Sequence, residues 1–183
     1  MEAFLTSVGL VALAEMGDKT QLLAFALAAR FRKPVPIIAG IFVATLANHA
    51  LAASVGAWIA AQLSPSAVRW ISAAAFLIFG AWALVPDRLE EQQAGTRHGI
   101  LLTTAVAFFL VEMGDKTQLA TVALAARFHP LAAIVAGTTV GMLLANAPAV
   151  WMGDRLGTRV DFKLVRYAAA ALFVATGIVS LLV

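Results

Sequence analysis

The chain has 183 residues, of which 62% are hydrophobic and only 13% are charged. Soluble globular proteins are about half apolar and about a quarter charged, so this composition excludes a soluble domain and indicates an integral membrane protein. The net charge of +3 does not indicate nucleic-acid binding, because most basic residues fall in short segments between apolar runs, and the absence of cysteine excludes disulfides and thiolate ligands.

Six apolar segments are long enough to cross the hydrocarbon core of a bilayer, for which about 20 residues are needed. In chain order they are Ala3–Ala29, Pro34–Ala61, Val68–Val85, Ile100–Ala126, Pro130–Met152 and Leu164–Val183. The most polar stretch, Pro86–Gly99, follows the third segment and is typical of a solvated linker. We therefore predict an all-α integral membrane protein with six transmembrane helices.

An octapeptide within the first segment recurs within the fourth. Residues Glu15–Leu22 read EMGDKTQL, and the same letters return 97 positions later as Glu112–Leu119. The similarity extends beyond the octapeptide, since 14 of the 17 residues from Glu15 to Phe31 are identical to their counterparts. A repeat of this extent indicates the duplication of a three-helix unit.

The repeat divides the chain into a first three-helix repeat (1–86), a linker (87–99) and a second three-helix repeat (100–183). Because each unit has an odd number of helices, we expect the second copy to be inverted, as in transporters whose sites lie between such repeats. Nine basic residues follow the first, third and fifth helices, whereas only Arg69 and Arg127 lie on the opposite side. This excess predicts a cytoplasmic linker and two external termini.

Each octapeptide places two carboxylates and an ammonium in a membrane segment, where ionised groups are costly and mark ion or substrate paths. In a straight helix, Glu15, Asp18 and Lys19 fall within about 100° of arc, whereas Thr20 points to the opposite side. Thr20 joins the site only if the helix kinks or unwinds, and Gly17 is where we expect this break. Carboxylate, hydroxyl and amide oxygens together suit calcium, manganese or magnesium.

The lysines allow two interpretations. Lys19 follows Glu15 by four residues, the spacing of an intrahelical ion pair, and Lys116 follows Glu112 in the same way. Either the lysines balance the carboxylates while no cation is bound, or they release a proton when a cation arrives.

Three further polar residues lie in the otherwise uncharged second and fifth segments. Asn48 and Asn146 occupy similar but not equivalent positions, offset by 98 residues. Either they reach the cation or its ligands, or they make packing hydrogen bonds. His49 has no counterpart in the second half and is a minor candidate for a proton relay.

Two copies of Glu-x-Gly-Asp-[Lys/Arg]-[Thr/Ser], one in each half, resemble the cation/proton exchanger family of the Golgi and chloroplast manganese transporters and bacterial manganese exporters. The resemblance covers essentially the whole chain. It implies a transporter that exchanges manganese or calcium for protons and has no resident cofactor. The central ligands that it implies are Glu15, Asp18, Glu112 and Asp115, and the same match adds Lys19, Thr20, Lys116 and Thr117. Spacing alone adds Gln21 and Gln118 as ligands, and Gly17 and Gly114 as helix breaks.

The short loops resemble the bacterial members, which implies manganese efflux through the inner membrane. The expected partners are a divalent metal ion, protons and the lipid bilayer, without nucleic acid, and one chain is sufficient for a complete site. An exporter of small organic solutes such as amino acids is the alternative. An intramembrane enzyme that uses Glu15 and Asp18 for acid–base chemistry is disfavoured, because an enzyme rarely needs a second, near-identical active site.

Overall fold

The computed structural model describes residues 1–85, 99–152 and 162–182. These residues form eight α-helices and no strand, which confirms the all-α prediction. The predicted linker, apart from Gly99, lies outside the described residues. The helices are α1 (Glu2–Glu15), α2 (Lys19–Phe31), α3 (Pro34–Ala61), α4 (Pro65–Ala83), α5 (Ile100–Glu112), α6 (Lys116–Arg127), α7 (Leu131–Met152) and α8 (Phe162–Leu182).

The first and fourth predicted segments are each two helices. α1 ends at Glu15 and α2 begins at Lys19, so three residues of the first octapeptide lie between them. The second copy repeats this arrangement, with α5 ending at Glu112 and α6 beginning at Lys116. Both helix breaks therefore lie within the octapeptides.

Three of the described helices are long and apolar enough to cross a membrane: Pro34–Ala61, Pro65–Trp82 and Leu131–Trp151. Ile100–Glu112 and Ala170–Leu182 are apolar but shorter. Large hydrophobic side chains such as Leu51 and Trp58 are exposed on the outside of the bundle, as expected for a protein surrounded by lipid. Six membrane crossings stay a prediction, in which α1–α2 and α5–α6 each cross as a pair of half-helices.

Local capping signals set the start of α4. The Ser64 hydroxyl accepts a hydrogen bond from the Ala67 backbone N–H at 3.2 Å, and Pro65 occupies the first helical position, where its missing N–H costs nothing. α3 likewise begins at a proline, Pro34. Ser64 and Pro65 thus end the short connection from α3 to α4, and Pro34 ends the connection from α2 to α3.

The two halves of the chain interlock. α1 packs mainly against α7, α5 packs mainly against α3, and α4 faces α8. A Cβ atom at Gly40 would lie 2.7 Å from the Leu101 carbonyl oxygen, and one at Gly137 would lie 2.6 Å from the Phe4 carbonyl oxygen. Because both partners differ by the repeat offset, these close helix approaches are equivalent, and both depend on a small residue. Each broken helix is thereby held against the opposite half.

Candidate functional site

A glycine forms each helix break. Gly17 has a φ of 82° and Gly114 a φ of 78°, a backbone region that side-chain-bearing residues rarely adopt. The Asp18 N–H donates to the Glu15 carbonyl oxygen at 3.1 Å, and the equivalent hydrogen bond of the second copy measures 3.0 Å. The chain therefore turns tightly between the two carboxylates of each octapeptide.

The two glutamines brace these breaks. Gln21 Oε1 accepts a hydrogen bond from the Gly17 N–H at 2.9 Å, and Gln118 Oε1 accepts one from the Gly114 N–H at 2.6 Å. A helix break leaves backbone donors open, and each of these bonds satisfies one of them. The amide oxygens that the sequence suggested as cation ligands thus face the backbone of the break.

The breaks also bring each threonine to the glutamate of its own motif. The Thr20 hydroxyl donates to Glu15 Oε2, and the Thr117 hydroxyl donates to Glu112 Oε2 at 3.1 Å. All four side chains are buried. The other oxygen of each glutamate, Oε1, is buried and accepts no hydrogen bond from the described residues. Each glutamate is therefore oriented through one oxygen, while its second oxygen is available for a ligand.

Three carboxylates from the two motifs form one cluster. One oxygen each of Glu15, Glu112 and Asp115 lies within 4.8 Å of the other two. The three residues are 0%, 0% and 3% exposed, respectively. Ca²⁺–oxygen distances are about 2.3–2.6 Å, so ligands on opposite sides of one ion lie about twice as far apart, and these three oxygens are close enough to share a cation. The two octapeptides thus build a single candidate site.

The motif lysines pair across the two halves. Lys19 Nζ lies 2.9 Å from Asp115 Oδ1, and Lys116 Nζ lies 3.2 Å from Asp18 Oδ2. The intrahelical pair expected between Glu15 and Lys19 is wrong, because α1 ends at Glu15 and the four-residue spacing no longer places both side chains on one helical face. Each ammonium instead compensates a carboxylate of the opposite half.

Asp18 differs from the other three motif carboxylates. Its Oδ1 accepts a hydrogen bond from the Lys19 N–H at 2.6 Å at the start of α2, while Oδ2 faces Lys116. Asp18 is not part of the three-carboxylate cluster, although the sequence suggested the same role for it as for Asp115.

The two copies share their chemistry but not their surroundings. The Lys19 side chain is 25% exposed, whereas that of Lys116 is 5% exposed. In the helix breaks, Met113 is 56% exposed, whereas Met16 is only partly exposed. The candidate site is therefore asymmetric although it is built from a repeated sequence.

Asn48 joins α3 to the second octapeptide. Its Nδ2 donates to the Phe109 carbonyl oxygen at 3.0 Å, and its Oδ1 accepts from Gln118 Nε2 at 3.1 Å. In the first octapeptide, Gln21 Nε2 instead donates to the Ala145 carbonyl oxygen at 2.9 Å. Residue patterns could not have identified Phe109 or Ala145 as hydrogen-bond partners, because both contribute only a backbone oxygen.

Asn146 and His49 lie in the core but are not hydrogen-bonded to either octapeptide. Asn146 Nδ2 donates to the Met142 carbonyl oxygen at 3.1 Å within its own helix. His49 is fully buried, and neither of its ring nitrogens has a hydrogen-bond partner among the described residues. Of the two asparagines expected to support the site, only Asn48 is hydrogen-bonded to a motif side chain.

Comparison with known proteins identifies the family of the chain. A family model described as divalent cation/proton antiporter GDT1 matches residues 3–91 and 100–183. A Vibrio cholerae protein named "Putative manganese exporter" is 47% identical over 174 residues, which cover 94% of this chain and 87% of that protein. GDT1-like protein 5 of Arabidopsis thaliana is 28% identical over 222 residues, which cover 100% of this chain and 96% of that protein. No solved structure matches the chain. The chain therefore belongs to the GDT1 family of divalent cation/proton antiporters.

Proposed function

We propose that this chain exports a divalent cation, manganese in the first place and calcium in the second, in exchange for protons across a bacterial inner membrane. The observation that carries the proposal is the buried cluster of Glu15, Glu112 and Asp115, whose oxygens lie within 4.8 Å of one another. The name of the Vibrio cholerae relative supports manganese and the direction of transport. An exporter of organic solutes gains no support from the family description, which names divalent cations and protons.

Charge balance supports exchange at one shared site. The two octapeptides together hold four carboxylates and two ammonium groups, a formal charge of −2 when all are ionised. Uncompensated charge at membrane depth is costly, and either a divalent cation or protons can compensate it. Cation and protons therefore compete for the same carboxylates, which is the requirement for an exchanger.

We assign distinct roles to the motif residues. Glu15, Glu112 and Asp115 hold the cation, while Thr20 and Thr117 orient the two glutamates through the hydrogen bonds described above. The remaining motif residues hold this arrangement in place: Asp18 with Lys116, Lys19 with Asp115, and Gln21 and Gln118 at the breaks formed by Gly17 and Gly114.

Transport by alternating access fits the arrangement of the halves. The repeats 1–86 and 100–183 would be inverted in the membrane around the linker 87–99, with six crossings and both termini outside. The unequal exposure of Lys19 and Lys116 supports this mechanism. If the two half-sites alternate between the more exposed and the more buried environment, the site opens to one side of the membrane at a time. One chain supplies both halves of this site.

Flux measurements in proteoliposomes test the carboxylate site. Glu15→Gln and Asp115→Asn should each abolish proton-coupled Mn²⁺ flux, recorded with a metal-quenched dye and a pH dye inside the vesicles. Glu2→Gln is the matched control, because Glu2 is an exposed carboxylate at the other end of α1 and should leave flux unchanged. Near-normal flux in both site variants would rule out the carboxylate model.

A panel of ions and solutes tests the substrate. We expect Mn²⁺ to be transported best, Ca²⁺ less well, and amino acids neither to be transported nor to stabilise the purified protein. Thermal stabilisation by amino acids but not by divalent ions would favour the organic-solute alternative instead.

A further inference from the structure

A second polar region lies away from the carboxylate cluster, in a cavity of about 490 Å³ at the ends of α3, α4 and α6. Three basic side chains line it: Arg69 in α4, Arg127 at the last position of α6, and His129 in the connection to α7. No carboxylate lines it among residues 1–85, 99–152 and 162–182. The cavity is therefore positively charged.

The two guanidinium groups are incompletely satisfied. The Nε atoms of Arg69 and Arg127 are buried and have no hydrogen-bond acceptor in the described part of the chain. The Arg127 guanidinium carbon also lies 5.5 Å from the centre of the Phe128 ring, which holds the side chain in position. A buried donor without an acceptor is costly, so this arrangement favours an acceptor supplied from outside the chain.

The position of these arginines in the sequence is also unusual. Among the lysines and arginines, only Arg69 and Arg127 are placed by the loop-charge pattern on the side opposite the linker. They belong to different halves of the chain and are far apart in sequence, yet they line the same cavity. Orientation in the membrane does not require this convergence, whereas two guanidinium groups on one cavity favour an anion there.

We propose that this cavity binds a phosphate group, either as free phosphate or as the headgroup of an anionic phospholipid. The planar guanidinium fork matches phosphate oxygens in a bidentate manner. The N-terminal residues of α4, Pro65 and Ser66, also line the cavity, and the amino end of a helix favours an anion. The volume falls within the range of about 300–1,000 Å³ that is typical of small-molecule sites, so it accommodates a substituted phosphate.

A ligand at this position would connect the two halves. It would join α4 of the first half to α6 of the second, and α6 begins at Lys116 of the candidate cation site. Any effect of the ligand on transport rests on the proposed function, because transport requires the two halves to move. Binding of the ligand does not require this movement. A direct binding assay therefore tests the anion site even if the proposed transport function is wrong.

The test titrates the detergent-purified chain with sodium phosphate against sodium chloride of equal ionic strength, with thermal unfolding as the readout. A parallel arm uses native mass spectrometry after transfer to nanodiscs of phosphatidylglycerol or phosphatidylcholine. Arg69→Gln and Arg127→Gln should each weaken binding by about tenfold or more, since each removes a charged hydrogen-bond donor.

Arg30→Gln is the matched control. Arg30 is the repeat counterpart of Arg127, has the same ring contact at 5.4 Å to Phe31, and does not line the cavity. This variant should bind like the wild type. If a glutamine variant does not fold, Arg69→Lys and Arg127→Lys replace it in the test. Each lysine variant should bind the phosphate group several-fold more weakly than the wild type, because lysine lacks the bidentate fork.

Arginine-dependent binding of phosphate supports a free anion, and arginine-dependent retention of phosphatidylglycerol alone supports a lipid headgroup. The proposal is overturned if neither probe binds in an arginine-dependent manner, if Arg30→Gln weakens binding equally, or if both lysine variants bind as tightly as the wild type.

Discussion

Lys19 Nζ lies 2.9 Å from Asp115 Oδ1, although the two residues belong to different halves of the chain. The reciprocal pair, Lys116 with Asp18, has a distance of 3.2 Å. The two broken helices are thus held to each other by charge, and one of the paired carboxylates, Asp115, is also part of the candidate cation site.

Lys116→Met should destabilise the protein more than Lys19→Met. The Lys116 and Asp18 side chains are 5% and 1% exposed, and removing one partner of a buried ion pair costs about 3–5 kcal/mol. The Lys19 side chain is 25% exposed, so solvent screens its pair with Asp115 more strongly and the pair contributes less to stability. Thermal unfolding in detergent measures both effects, and adding Asp18→Asn to Lys116→Met should restore part of the loss. Equal destabilisation by the two lysine variants would contradict this ranking.

Gly114→Ala should lower stability moderately and reduce flux strongly. No atom lies within 4 Å of an added Cβ, so the cost comes from the backbone φ of 78° and amounts to about 1–2 kcal/mol. Flux should fall further, because the break positions Glu112 and Asp115. Gly9→Ala is the control, because Gly9 lies inside α1 and its Cβ would lie 3.4 Å from Leu172 Cδ2 of α8, an ordinary van der Waals contact. Wild-type flux in folded Gly114→Ala would show that the break geometry is dispensable.

Asn48→Ala should impair transport more than Asn146→Ala. The Asn48 amide links α3 to the Phe109 carbonyl and to Gln118, whereas the Asn146 amide donates within its own helix. Loss of Asn48 leaves buried polar groups unpaired, at about 1–3 kcal/mol each, next to the second helix break. Flux per folded molecule in proteoliposomes provides the comparison. If Asn146→Ala proved the more damaging, the proposed bracing role of Asn48 would be wrong.

Mn²⁺ binding should weaken as the pH falls. Ligating carboxylates must be deprotonated, so protons compete with the cation and binding releases protons. Calorimetry in buffers of different ionisation enthalpy measures the number released, which should decrease in Glu112→Gln. An affinity that is the same in mildly acidic and mildly alkaline buffer would separate cation binding from proton exchange.

Residue patterns in the sequence were sufficient to predict part of this structure. The apolar composition predicted an all-α protein, and the octapeptides pointed to the residues that form the buried carboxylate cluster. Gly17 was predicted to lie at a helix break, since in a straight helix Thr20 would point away from Glu15, and the structure places Gly17 between α1 and α2 at a φ of 82°.

The pairing of the lysines could not be predicted in this way. The four-residue spacing favours Glu15 as the partner of Lys19, whereas the observed partner, Asp115, is brought close only by the packing of the two halves. Similarly, Gln21 resembles a cation ligand by residue type, but the Gly17 N–H that it binds becomes available only when the helix breaks. In both cases the folded structure supplies a partner that cannot be identified from the spacing of nearby residues in the sequence.

The cross-half ion pairs also bear on the ancestry of the chain. In the observed ion pairs each lysine contacts an aspartate of the other half, so two copies of a three-helix ancestor would satisfy these charges by meeting each other. Fusion into one polypeptide fixed the ratio of the copies at one to one and allowed each to diverge.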